Sequence, residues 1–121
     1  MMLVAEGDFV LKEDRHKITS FQIQLLSRII DMDQYPFIKL IIEHHISEDE
    51  YRELFDLLER QQATYEEQKE EGLLDFSSLL IEFAGCLNEK LNPTETILAL
   101  RAENYFPELM DEYIKILKNE T

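Results

Sequence analysis

Residues 47–72 read SEDEYRELFDLLERQQATYEEQKEEG and carry a helix start, a helix stop and 24 residues between them without glycine or proline. Ser47 and Glu50 have the spacing of a capping box, in which the hydroxyl and the carboxylate each bond a backbone N–H left free by the first turn. Gly72 can adopt the left-handed conformation that ends many helices. The stretch therefore predicts one helix about 36 Å long.

The composition predicts a single all-α domain. The chain has 121 residues, which is enough for one hydrophobic core and too few for two. Three glycines and three prolines leave little material for turns and favour long helices with short connections. We expect one multihelical domain over residues 1–121, with five or six helices and more than roughly 60% helix. Residues 1–12 show no readable pattern.

Hydrophobic residues at helical spacing define the other helices. Only Glu82 is charged among residues 76–88, so we expect the helix from residue 76 to about 90 to be the most buried. Its apolar stripe consists of Phe76, Leu79, Leu80, Phe83, Leu87 and Leu91. The remaining helices are predicted from about residue 12 to 30, from 36 to about 45, after the cap at Asn92, and from Pro107 onward.

The charge pattern limits the kinds of partner that this chain is expected to bind. The net charge is −14, and half of it lies on residues 47–72, which carry three basic and ten acidic residues. Such a field repels phosphate backbones, so we expect no direct binding of nucleic acid. No apolar run approaches the roughly 20 residues of a membrane span, and we expect no membrane association. Residues 1–5 are followed at once by acids, which does not suit a signal peptide, and a single cysteine favours the cytoplasm.

Three segments resemble a known family. The first is residues 35–37 (YPF) with 39–43 (KLIIE), the second is residues 65–72 (YEEQKEEG), and the third is residues 90–93 (KLNP) with 95–97 (ETI) and 99–100 (AL). Their order and spacing are similar to those of the YhaI-like family, small uncharacterised proteins of Gram-positive, spore-forming bacteria, over about residues 18–118. The resemblance implies an all-helical subunit in an intertwined trimer, and it implies no reaction. Where the family carries histidine, this chain has Asn88 and Asn92, which argues against a metal site there.

Residues suited to catalysis or metal binding are few. His44 and His45 are adjacent, so on a helix they point about 100° apart and do not suit one metal; we expect them at a helix end. We expect Cys86 to be an inert thiol in the core and Glu82 to lie on a solvated stripe. No phosphate-binding loop, dinucleotide fingerprint or nucleophile motif is present. We therefore assign no catalytic residue, no cofactor and no metal ligand.

The distal half of the long helix carries two candidate interaction surfaces. Glutamines stand where leucine is expected, so this half should face solvent or a polar contact with another chain. The candidate oligomer interface consists of Gln61, Gln62, Tyr65, Gln68, Leu73 and Leu74. The candidate acidic docking face, for cations or a basic partner, consists of Glu66, Glu67, Glu70 and Glu71. These acids form unfavourable like-charge pairs four residues apart, and the alternative is that they only solvate the helix end.

The sequence favours a non-catalytic, self-associating acidic helical protein of the cytoplasm that acts through protein contacts. A small helical enzyme or metal-binding protein using Glu82, Cys86 or the acidic face is one alternative. An acidic nucleic-acid mimic that occupies a basic protein is the other. Self-association is expected because a helix of about 36 Å exceeds what a domain of this size can cover.

Overall fold

The computed structural model describes residues 12–119, and residues 1–11 and 120–121 lie outside the described residues, with nearly all of the unreadable N-terminal segment. The described chain is 78% helical, with six α-helices and without strands, which confirms the predicted fold class. The helices are α1 (Lys12–Ile29), α2 (Pro36–Glu43), α3 (Glu48–Glu70), α4 (Ser77–Cys86), α5 (Pro93–Ala102) and α6 (Pro107–Asn119), with a 3₁₀ turn at Met32–Gln34 between α1 and α2.

The chain divides into two compact units, residues 1–32 and residues 33–121. Among the described residues, the first unit contains helix α1, and the second contains helices α2–α6. In the second unit α5 packs against α2 and α6, α4 packs against α6, and α3 packs against α4. All buried hydrophobic side chains of the described chain belong to the second unit.

The core of the second unit is formed by one apolar stripe from each of its helices. Phe37, the fully buried residue of α2, contacts the rings of Phe55 and Tyr105 at centroid distances of 5.9 and 5.5 Å in edge-on geometry. Such aromatic pairs add about 0.5–1.5 kcal/mol beyond the area they bury. The other large side chains with no more than about 1% exposure are Leu58, Gln61, Phe83, Ile97, Leu100, Leu109, Met110 and Tyr113.

Helix starts follow the local signals of the sequence. The capping box of α3 is complete, because the Glu50 N–H donates to Ser47 Oγ (3.1 Å) and the Ser47 N–H donates to Glu50 Oε1 (2.9 Å). Asn92 caps α5 by accepting the Glu95 N–H at 2.9 Å. Helix α2 lacks a cap from its own segment, and Glu103, which follows α5, accepts its first free N–H groups instead. A distant carboxylate thus ties the start of α2 to the end of α5.

Three helices end in the same six-residue motif, and one of the three has glycine at its left-handed position. Gly72 has a φ of 83°, and the Leu73 N–H donates to the Gln68 carbonyl at 2.8 Å, which is the Schellman arrangement. His45 (φ 55°) and Asn104 (φ 66°) take the corresponding left-handed position after α2 and α5. Two of these helix ends are therefore made without glycine. His44 and His45 lie at a helix end, as predicted.

The expectation that α4 is the most buried helix is wrong, because one side of it is exposed. It begins at Ser77, whose N–H donates to Asp75 at 3.0 Å, and it ends at Cys86 rather than near residue 90. Leu79, Leu80 and Phe83 are buried as predicted, but the opposite side of the helix is exposed, Cys86 included. The low charge of this segment reflects an apolar outer face and not burial on all sides.

Glu50 also joins the start of α3 to the loop between α4 and α5. Its carboxylate accepts hydrogen bonds from Lys90 Nζ (2.9 Å) and Asn88 Nδ2 (2.8 Å) in addition to the Ser47 N–H. The bond from the Ser47 N–H, followed by those from Lys90 and Asn88, lowers the pKa of Glu50 from 4.5 to about 2. The charged form of this carboxylate is therefore the form that the fold stabilises.

The buried stripe of α4 predicts the effect of truncation. Phe83→Ala and Leu80→Ala should each lower the free energy of unfolding by about 2–5 kcal/mol, since both side chains are buried. Ile81→Ala is the matched control, because Ile81 is 72% exposed and its truncation should change stability by less than about 0.5 kcal/mol. Urea unfolding followed by circular dichroism measures all three, and equal losses would contradict this core.

Glu50 predicts a pH dependence of stability. Its pKa is lower in the folded chain than in the unfolded chain, so its contribution is present above about pH 4.5 and is lost as the pH falls towards 2. Glu50→Gln should thus unfold at lower urea than the unmodified protein at pH 6, and the two should converge near pH 2. Glu59→Gln controls for the loss of one exposed charge on α3. A difference that stays constant from pH 6 to pH 2 would refute the assignment.

Candidate protein-interaction surfaces

Helix α1 leaves its hydrophobic residues exposed. Of the fifteen large hydrophobic residues that are exposed in the described chain, seven lie between positions 18 and 30, in a segment of thirteen residues. Phe21 is 58% exposed and Ile29 is 80% exposed. A concentration of exposed apolar side chains on one element marks a protein or membrane contact rather than ordinary surface.

The apolar side chains of α1 form a stripe. Ile18, Phe21, Leu25 and Ile29 follow the spacing i, i+3, i+7 and i+11, which places them along one side of the helix. We call these four residues the α1 stripe. Lys17 and Arg28 lie along one edge of it, about 60–85° from its centre. Residues 12–29 carry four basic and two acidic residues, so α1 has a charge of +2 within an acidic protein.

A groove runs between α2 and α5 on the second unit. It has a volume of about 490 Å³ and is open to solvent. Its apolar lining includes Leu98, which is 51% exposed on α5. Lining residues recur at helical spacing along both helices and include Leu40, Glu43, Glu95, Leu98, Ala99 and Ala102. We call this surface the α2–α5 groove.

Two residues of the candidate oligomer interface are buried within the subunit itself. Gln61 is 1% exposed and Tyr65 is 4% exposed. Gln61 Nε2 donates to the Leu79 carbonyl at 2.9 Å, and Gln61 Oε1 accepts the Tyr113 hydroxyl at 2.7 Å. Tyr65 packs on Phe76 with ring centroids 4.7 Å apart. The expectation that these two side chains face another chain is therefore wrong, because α4 and α6 cover this part of α3.

The other interface residues and the acidic face lie nearer the surface. Leu73 and Leu74 are 52% and 76% exposed, and Gln62 and Gln68 are half-buried. The acidic face is exposed at Glu66, Glu67, Glu70 and Glu71. The structure brings Lys69 near Glu108, with Nζ 3.9 Å from the carboxylate. The remaining residues of the candidate oligomer interface and the acidic face stay predictions.

Within the described residues, the side chains that could take part in catalysis or metal binding do not lie together in one site. Glu82 is exposed as predicted, and its carboxylate accepts a long hydrogen bond of 3.5 Å from Gln61. Cys86 lies at the edge of a cavity of about 60 Å³, far below the roughly 300–1,000 Å³ of small-molecule sites. Neither residue lines the α2–α5 groove. Across the described part of the chain, no three His, Cys, Asp or Glu side chains are grouped as a metal site would require. Over the same residues, no helix combines the length and the apolar content that crossing a membrane requires.

The sequence of the chain matches one protein family. Residues 12–118 match the family described as "Protein of unknown function (DUF1878)". The match covers the six described helices up to Lys118, and the chain belongs to this family. The family description assigns no activity, so the function rests on what the surfaces of this chain can do.

The hydrogen bonds of Gln61 to the Leu79 carbonyl and the Tyr113 hydroxyl form what we call the Gln61 network. This network predicts that removing the Tyr113 hydroxyl lowers the stability of the fold. Burial, and secondarily the charge of Glu82, raise the pKa of Tyr113, so its hydroxyl stays protonated and donates to Gln61 Oε1. Tyr113→Phe should lower the free energy of unfolding by about 1–3 kcal/mol, because it leaves a buried acceptor unpaired. Tyr35→Phe is the control, since Tyr35 is 47% exposed.

A double-mutant cycle separates this hydrogen bond from general packing. Gln61→Met removes the acceptor, so Tyr113→Phe should cost less in that background than in the unmodified protein. Strictly additive losses in urea unfolding would show that the two side chains do not stabilise each other.

Proposed function

We propose that this protein has no catalytic role and acts through contacts with other protein chains, including copies of itself, in the cytoplasm. The observation that carries the proposal is the exposed stripe of helix α1. An isolated helix of this length is marginally stable in water, and most helices in proteins are stabilised by packing an apolar face. A partner that covers the stripe supplies that packing.

The magnitudes favour an assembly with several such contacts. Fully burying one large apolar side chain stabilises by about 1.5–3 kcal/mol, so covering four half-exposed ones contributes about 3–6 kcal/mol. Association costs about 4–15 kcal/mol in lost freedom, which one stripe does not clearly offset. In a closed assembly each copy contributes its own α1, so the burial of several stripes together offsets the cost of association.

The finer parts of the proposal concern kinship and partners. A closer relationship with the YhaI-like proteins of Gram-positive, spore-forming bacteria would make the assembly an intertwined trimer. Leu73 and Leu74 provide further exposed apolar surface for the contact. The four exposed carboxylates of the acidic face extend the range of partners to a basic protein.

The assembly should depend on the α1 stripe. Light scattering behind a sizing column should give a multiple of 14.4 kDa for the unmodified protein at tens of micromolar. Phe21→Asp combined with Leu25→Asp should shift that mass to the monomer, because two carboxylates would have to be buried in the contact.

Ile81→Asp is the matched control, since Ile81 is as exposed as the stripe residues but lies on α4. Circular dichroism should show that the helical second unit persists in each variant. A single 14.4 kDa species for the unmodified protein, in both low and high salt, would falsify the proposal.

A further inference from the structure

Helix α2 is the most weakly packed helix of the second unit. It has eight residues, the fewest of the six described helices, and Phe37 is the one residue that it buries. Each other helix of this unit buries at least three residues. Isolated helices shorter than about 12–15 residues are marginal in water, so α2 depends on the contacts at its ends and around Phe37.

One carboxylate holds the start of α2. Glu103 follows α5, and one oxygen of its side chain accepts the N–H groups of Phe37 and Ile38, the latter at 3.0 Å. Hydrogen bonds to an ionised acceptor are roughly twice as strong as bonds between neutral groups. Helix α2 has no side-chain cap from its own segment, so its first free donors depend on this distant residue. We call the contact of Glu103 with these two N–H groups the α2 latch.

The backbone is in left-handed conformations beside the contacts of α2. Three non-glycine residues of the described chain have a positive φ, and all three adjoin such a contact. His45 (φ 55°) lies two residues after the end of α2. Asn104 (φ 66°) and Phe106 (φ 47°) flank Tyr105. The ring of Tyr105 packs on that of Phe37 at a centroid distance of 5.5 Å. A left-handed backbone costs free energy in residues with a side chain, and it persists only where surrounding contacts impose it.

Phe106 indicates which contacts impose the strain. It is bulky and precedes Pro107, and both properties disfavour a left-handed backbone. Its ring packs against that of Phe55 at 6.3 Å, and Phe55 contacts the rings of Phe37 and Tyr105 at 5.9 and 5.5 Å. These rings from α2, α3 and the loop after α5 form one cluster. Withdrawal of Phe37 therefore removes contacts that keep the loop in its strained form.

The chain after His45 is held in place. Ser47 and Glu50 form the capping box of α3, with hydrogen bonds of 2.9 and 3.1 Å. On the other side of His45, the last bond of α2 runs from the Ile46 N–H to the Ile41 carbonyl at 3.0 Å. A hinge consists of a few residues at the end of an element that absorb a change in φ and ψ. His45 is in the position of such a hinge, because the backbone beyond it is fixed.

We infer that helix α2 opens and closes as one unit about His45 while helices α3–α6 stay folded. Opening breaks the α2 latch, withdraws Phe37 from the rings of Phe55 and Tyr105, and lets the left-handed residues relax. This relaxation lowers the free energy that opening requires. The open form presents an aromatic surface that Phe37 covers in the closed form, as a cryptic site does. The device goes beyond the proposed protein contacts and does not depend on self-association.

Native-state hydrogen exchange tests the opening directly. After correction for intrinsic rates, the amides of residues 39–46 should exchange together and at least about ten times faster than those of residues 54–58 in α3. One opening exposes all of the first group, so they share one protection factor. Equal protection of the two groups would show that α2 unfolds only with the whole unit, and would overturn the inference.

Removal of the latch carboxylate should accelerate this exchange selectively. Glu103→Ala leaves the first N–H groups of α2 without their acceptor, so the α2 amides should exchange about ten times faster or more while the α3 amides keep their rate. Glu103→Gln keeps an acceptor oxygen without the charge and should give a smaller increase. Glu89→Gln is the matched control, because Glu89 is exposed in the loop after α4, and it should change neither rate. Equal acceleration of α2 and α3 by Glu103→Ala would overturn the latch.

Glycine and alanine at the left-handed positions test the strain. Glycine adopts this conformation without steric cost, so the α2 amides should exchange about three times more slowly, or slower still, in His45→Gly than in His45→Ala. Phe106→Gly and Phe106→Ala both remove the ring, and the glycine variant should again exchange more slowly. The same pair at Glu59, inside α3, is the control and should show the opposite order of stability, because alanine is the better helix former. Alanine variants as protected as the glycine variants, or a difference shared equally by the α3 amides, would overturn the role of strain in opening α2.

Discussion

One buried amide, the side chain of Gln61, constrains three helices at once. It bonds the Leu79 carbonyl of α4 and the Tyr113 hydroxyl of α6 from its position on α3. Hydrophobic contacts are non-directional, so they do not by themselves fix how far one helix slides along another. A buried amide that loses a partner costs about 1–3 kcal/mol, and this penalty sets the register of α4 and α6 against α3.

This constraint determines which surfaces are available to a partner. Helix α3 commits its face from Leu54 to Tyr65 to the core of its own unit, so Gln61 and Tyr65 are not available to a partner. Exposed apolar surface is found instead on α1 and along the α2–α5 groove.

Local signals made most of the fold predictable. The capping box at Ser47, the cap at Asn92 and the proline at Pro107 act within one helical turn, so their residues identify the helix starts without reference to the rest of the chain. Helix ends were less readable, since His45 and Asn104 take the left-handed position usually held by glycine. Asparagine and histidine adopt this conformation more readily than most non-glycine residues, but neither marks a helix end as clearly as glycine does.

The candidate site was less predictable because it depends on tertiary partners. Gln61 was placed on the surface by polarity alone, since its partner Tyr113 lies 52 residues further along the chain. Cys86 was placed in the core by the low charge around it, although it lies on the exposed side of α4. The hydrophobic spacing of α1 was visible in the sequence, but its exposure was not, because periodicity identifies an apolar face without identifying what covers it.

The opposite charges of α1 and the remainder of the chain act over different distances. A net charge of −14 on each copy opposes assembly over the whole surface, and at about 10 mM salt the screening length of about 30 Å lets this repulsion act in full. Near 0.15 M the length falls to about 8 Å, which removes most of the repulsion between whole copies while charges in contact still interact. Apolar burial is not weakened by such salt. Self-association through α1 should therefore strengthen as salt rises to physiological concentration.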